Sequence, residues 1–86
     1  MDGQMTQEQI QMMTIQQQII NLEAELSSNT SEIGDYRIIK TYEARLNNEK
    51  DPYDTDDLLT KRQKVRDQIN ELQAKLDKLQ NTNSTN

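Results

Sequence analysis

Asp51, Asp54, Asp56 and Asp57 form the densest group of side chains that could do chemistry in this sequence. Clustered carboxylates suggest a hard cation, and a calcium loop is the specific form to test. That loop needs a turn glycine and a carboxylate at its twelfth position. Counted from Asp51, the run holds no glycine and the twelfth residue is Arg62, so the EF-hand pattern fails. The same acids are explained by a turn at Pro52, an N-cap at Asp54 or Thr55, and Asp56 and Asp57 in a first helical turn, where the dipole favours negative charge.

Lys61-Arg62-Gln63-Lys64-Val65-Arg66 is a basic run that could grip phosphate. The chain as a whole is acidic, no aromatic interleaves the run, and a helix spreads these charges around its axis. A solvated or ion-paired helix face is the better reading, and nucleic acid is not an expected partner. Tyr36, Tyr42 and Tyr53 could anchor an interface, but tyrosine at helix junctions more often plugs a small core with its hydroxyl in water. Histidine and cysteine are absent, which removes most acid–base, thiol and zinc chemistry. A Ser–Lys pair is the remaining nucleophile and base, and nothing positions one. The methionines read as seam filler and start residue. No catalytic, metal or cofactor-binding residue is expected, and no cofactor; the chain reads as a non-enzyme.

The elements that carry these residues are helical. The chain has 86 residues, 15 acids against 10 bases, and 31% hydrophobic residues. That size allows one module, and the apolar fraction is low for a self-sufficient globular core. A first helix is expected over 6–26, opened by a Thr6/Gln9 capping box. Its seam is Met12, Ile15, Ile19, Leu22 and Leu26, spaced 3, 4, 3, 4, the period of helix-on-helix packing. Met13 and Ile20 widen the stripe. The polar face is rich in glutamine and is either an interaction surface or an uncharged exterior. Ser27 to Ser31 breaks the helix, because short hydroxyl and amide side chains compete for backbone hydrogen bonds. A short helix follows over 35–47, capped by Asp35, with a stripe of Tyr36, Ile39, Tyr42 (or Ala44) and Leu46 and with Ile38 beside it. Pro52 interrupts the ladder. A third helix over 55–80 carries Leu58, Arg62, Val65, Ile69, Leu72, Leu76 and Leu79, spaced 4, 3, 4, 3, 4, 3. Glu71–Lys75 and Asp57–Lys61 are favourable pairs along it. Residues 81–86 are expected to be a disordered polar tail.

Amphipathic helices of this kind are marginal alone, so the two long stripes need partners. Residues 1–30 hold four acids and no base, whereas 55–86 hold five acids and six bases. This pattern favours the first helix against the third over the third against itself, within one chain or between copies. Arg62, at a core-type position, either ends the dry seam or fixes register. No apolar run approaches the ~18 residues that a membrane span needs, and the N-terminal stretch reads as no secretory leader.

Asp35-Tyr36, Ile38-Ile39-Lys40, Glu43, Pro52-Tyr53-Asp54, Leu58, Arg62-Gln63, Arg66-Asp67, Ile69-Asn70 and Leu72 resemble a recurring segment of small helical proteins of tailed bacteriophages and prophages, encoded near tail-fibre or tail-tip genes. The resemblance covers about residues 30–76 and brings no catalytic residues. It implies a virion-associated or assembly role. Arg66, Asp67 and Asn70 flank the seam, where they could lock one helix pairing.

The expected protein is all-α: a helical hairpin or small three-helix coiled-coil-like bundle, completed by oligomerisation if one chain cannot close its core. The expected function is structural or assembly work in a bacteriophage, tail- or fibre-associated. The contact candidates are Met12, Ile15, Ile19, Leu22, Leu26, Leu58, Val65, Ile69, Leu72, Leu76 and Leu79. The expected partners are a virion or tail component or further copies, with no membrane, in the host cytoplasm and the virion. The alternative is a small acidic inhibitor of a host defence nuclease, mimicking nucleic acid.

Overall fold

The computed structural model describes residues 6–83 and contains three helices in the order α1 (Gln7–Ser27), α2 (Asp35–Leu46) and α3 (Thr55–Asn83), with no strand among the described residues. The fold is all-α, with α1 packed on α3 as a hairpin. Met1, Met5 and residues 84–86 of the expected tail lie outside the described residues.

Local chemistry sets each helix end. The Thr6 hydroxyl accepts from the Gln9 amide at 3.1 Å, and the Gln9 side chain accepts from the Thr6 amide at 2.9 Å, so the capping box is complete. At the other end the Ser28 hydroxyl accepts from the amides of Thr30 and Ser31, both at 3.0 Å, a turn that competes with the helical ladder and ends it. Gly34 then passes so close to this turn that an added Cβ would lie 1.9 Å from the Ser28 carbonyl oxygen. Its backbone angles are ordinary; the close approach is what requires glycine.

The N-cap of α2 is Gly34, without a side-chain cap bond. This corrects the reading of Asp35 as the cap. Asp35 is the first helical residue, and its carboxylate accepts from Arg62 Nη2 at 2.7 Å. At the far end Asn48 adopts a left-handed φ of 59°. Glu49 N–H donates to the Ala44 carbonyl at 2.7 Å, and Asn48 N–H donates to the Arg45 carbonyl at 3.1 Å. That pair of bonds is a Schellman close with asparagine in the position glycine often takes. For α3, Asp54 Oδ1 accepts from the Asp57 amide at 3.1 Å, so Asp54 is the cap. The helix runs on to Asn83, which corrects the expected end at 80 and the start of the tail at 81. No glycine or proline follows Leu79 to stop it.

The helices α1 and α3 run antiparallel, as the two apolar clusters show. Ile15, Ile19 and Leu76 form one, with Met12, Ile69, Leu72 and Leu79 packed against it. Ile33, Leu58 and Val65 form the other, with Leu22, Leu26, Ile38 and Ile69 around it. The beginning of α1 therefore meets the end of α3, and its end meets the beginning of α3. Each Leu or Ile fully removed from water contributes roughly 1.5–3 kcal/mol, and this seam is the main source of stability. It is thin: no described side chain is completely enclosed. The molecule is a rod of 63 × 21 × 16 Å with a radius of gyration of 18.3 Å, against about 12 Å for a compact domain of this length.

Candidate protein-interaction surface

Arg62 organises one end of the rod. It sits in the seam of α3 and is 7% exposed. Nη1 donates to the Ile33 carbonyl at 2.7 Å and to the Leu26 carbonyl at 3.3 Å, and Nη2 donates to Asp35 Oδ1 at 2.7 Å. Leu26 belongs to the last turn of α1, Ile33 to the connecting loop and Asp35 to the first turn of α2. One guanidinium thus satisfies an orphan carbonyl of a helix end, a loop carbonyl and an acid on a third element. Its Nε is buried with no partner. The rigid fork, rather than the charge alone, makes this geometry accessible to arginine. Of the two roles read for this residue, register is the one it performs. The helix pairing is locked here and not by the flanking residues: Gln63 donates to Asp67 at 2.9 Å and accepts from Arg66 at 3.3 Å, all on α3 itself.

The seam candidates all pack within the chain. Met12, Ile15, Ile19, Leu72, Leu76 and Leu79 line one half of the seam, and Leu22, Leu26, Leu58 and Val65 line the other, with Ile69 shared between them. Ile15, Ile19, Leu58, Val65 and Leu76 are buried there, whereas Leu22 and Leu72 are partly exposed and line an open cleft between α1 and α3. Met13 and Ile20, expected to widen the seam, point away from it and are exposed.

Apolar surface is also uncovered at the head of the rod. The helix α2 turns Ile38, Thr41 and Ala44 inward, and the Thr41 hydroxyl donates to the Arg37 carbonyl at 2.8 Å. Ile39, Tyr42 and Leu46 face outward, 57–65% exposed. This corrects the stripe read from the sequence at Ile39, Tyr42 and Leu46, whereas Ala44, the alternative to Tyr42, is buried and Tyr36 and Ile38 are partly buried. Both faces have helical spacing, but the smaller side chains Thr41 and Ala44 occupy the buried one. An open cleft of about 210 Å³ lies beside the stripe, lined by Ile38, Thr41, Tyr42, Arg45, Thr55, Leu58 and Leu59. Leu59 is itself half exposed.

The loops that frame this head are pinned by charge. Arg45 and Asp51 form a two-bond pair, Nε to Oδ1 at 2.9 Å and Nη2 to Oδ2 at 3.0 Å. The hydrogen bond from Arg45 holds the Asp51 carboxyl below its ordinary value, and the same bond raises Arg45. Arg37 lies 4.3 Å from the centre of the Tyr53 ring and donates to the Tyr36 hydroxyl at 3.1 Å. Tyr36 and Tyr53 are thus half-buried partners of one guanidinium, whereas Tyr42 is exposed.

The basic run is not one surface. Arg62 is buried, and Lys61 contacts Asp57 at 3.1 Å and Glu32 at 3.7 Å. Hydrogen bonding to Asp57 raises the Lys61 pKa. Among the described residues no group of three or more acids is placed to hold a metal ion, and no helix is long and apolar enough to cross a membrane. No family model, curated protein or solved structure matches the chain.

Proposed function

We propose that this chain is a non-enzymatic bacteriophage structural or assembly protein, tail- or fibre-associated, that acts through helix packing against another protein. The observation that supports an interaction role is the outward stripe of Ile39, Tyr42 and Leu46 beside the cleft at Leu59. Exposed apolar side chains grouped on one face mark binding surfaces more often than scattered ones do, and tyrosine is a frequent anchor. The phage setting rests on the resemblance over about residues 30–76. Its locations are then the host cytoplasm during assembly and the virion. The nuclease-inhibitor alternative needs a row of unpaired carboxylates. It is less well supported, because Asp35, Asp51, Asp57 and Glu32 are engaged by Arg62, Arg45 and Lys61.

The test is recovery of the protein with purified particles or with a tail or fibre protein, comparing wild type with Ile39→Asp/Tyr42→Asp. Retention of wild type at high salt and loss of the variant supports the proposal. Binding that is abolished by salt and indifferent to the variant contradicts it.

A further inference from the structure

We infer that the outer face of α1 seats a second copy of this chain. Ile10, Met13, Gln17, Ile20 and Ala24 are spaced 3, 4, 3, 4, a second heptad pattern offset by two residues from the internal seam. At 3.6 residues per turn that offset places it on the opposite side of the helix. Ile10, Met13 and Ile20 are 49–55% exposed, so the described residues of the chain leave this face open.

Charge identifies the occupant. No charged residue occurs from Gln9 to Leu22. A partner chosen by charge would find nothing to pair with along this stretch, and a second copy meets no like-charge repulsion there, Glu8, Glu23 and Glu25 lying beyond its ends. The outer positions of α3, by contrast, include Lys64, Asp67 and Glu71, all exposed. The amides on α1 also favour self-pairing. Gln17 Nε2 donates to Asn21 Oδ1 at 3.0 Å, and the pair then presents an acceptor oxygen from Gln17 and an amide donor from Asn21. A copy related by a two-fold axis presents the same acceptor and donor in the opposite order, so each can face its complement. A polar residue at a seam position of this kind sets register between helices. Two hairpins joined along α1 make a four-helix arrangement, which gives the thin seam a second layer.

This face is on a different helix from the α2 stripe, so the two proposals fail separately. The experiment is sedimentation equilibrium of the full chain from low micromolar to submillimolar concentration, with circular dichroism alongside. Wild type should reach the two-chain mass. Met13→Glu/Ile20→Glu should weaken association on the order of 100-fold while remaining helical, and Ile39→Asp/Tyr42→Asp should dimerise as wild type does. If the glutamate pair lowers helicity, Met13→Gln/Ile20→Gln carries the same test. A wild type that stays monomeric, or folded α1 variants that keep the two-chain mass, overturns the inference.

Discussion

At the scale of single residues, Arg62 illustrates how a charge becomes structural. Its guanidinium replaces water at two carbonyls and one carboxylate, and its removal leaves the buried bond to the Ile33 carbonyl unmade. Arg62→Ala should cost roughly 2–4 kcal/mol, read from urea unfolding, and Arg62→Lys should recover only part of that because an ammonium cannot reproduce the fork. Full stability in Arg62→Lys would contradict the geometric account. Asp51 makes a separate prediction. Its folded pKa lies below the ordinary value because Arg45 donates to it. The pair therefore adds stability above the unfolded carboxyl's ~3.9, and that contribution disappears as pH falls through the folded value. Wild type and Asp51→Asn should differ most at neutral pH and converge in acid; a gap that is constant with pH would refute it. The sequence marked Arg62 as out of place in an apolar seam. Its partners lie 27 to 36 positions away, beyond what spacing can reveal.

At the scale of elements, the long seams were legible because each runs the length of its helix with an unbroken 3, 4 spacing, and opposite charge balances favoured pairing α1 with α3. The short helix was harder. Ile39, Tyr42 and Leu46 form as good a stripe as Ile38, Thr41 and Ala44, and the choice between them depends on which face fits Leu58 and Ile33. Periodicity does not contain that information. The same limit applies to Asp35, whose type suits a cap but whose carboxylate is drawn to Arg62. The two faces differ in what a charge does to them. Ile69→Asp/Leu72→Asp places charges in the seam and should cost about 3–5 kcal/mol, a large share of a small protein's stability. Ile39→Asp/Tyr42→Asp changes exposed positions and should shift stability by less than about 1 kcal/mol. Thermal melts of both pairs check this, and equal losses would mean that α2 packs by its other face.

At the scale of the whole molecule, the rod shape follows from pairing two long helices with a third too short to cover them. A radius of gyration of 18.3 Å leaves apolar surface on both α1 and α2, and the proposed interactions use that surface rather than the seam. All of this depends on α1 and α3 closing on each other, antiparallel, within one chain. The most direct measurement is the distance between spin labels at Gln11 and Gln80, both exposed, in doubly labelled protein diluted into an excess of unlabelled chains. The account predicts one short distance, under about 20 Å, that dilution leaves intact. A distance near the ~30 Å length of α1 or greater, or a short distance that vanishes on dilution, would contradict it.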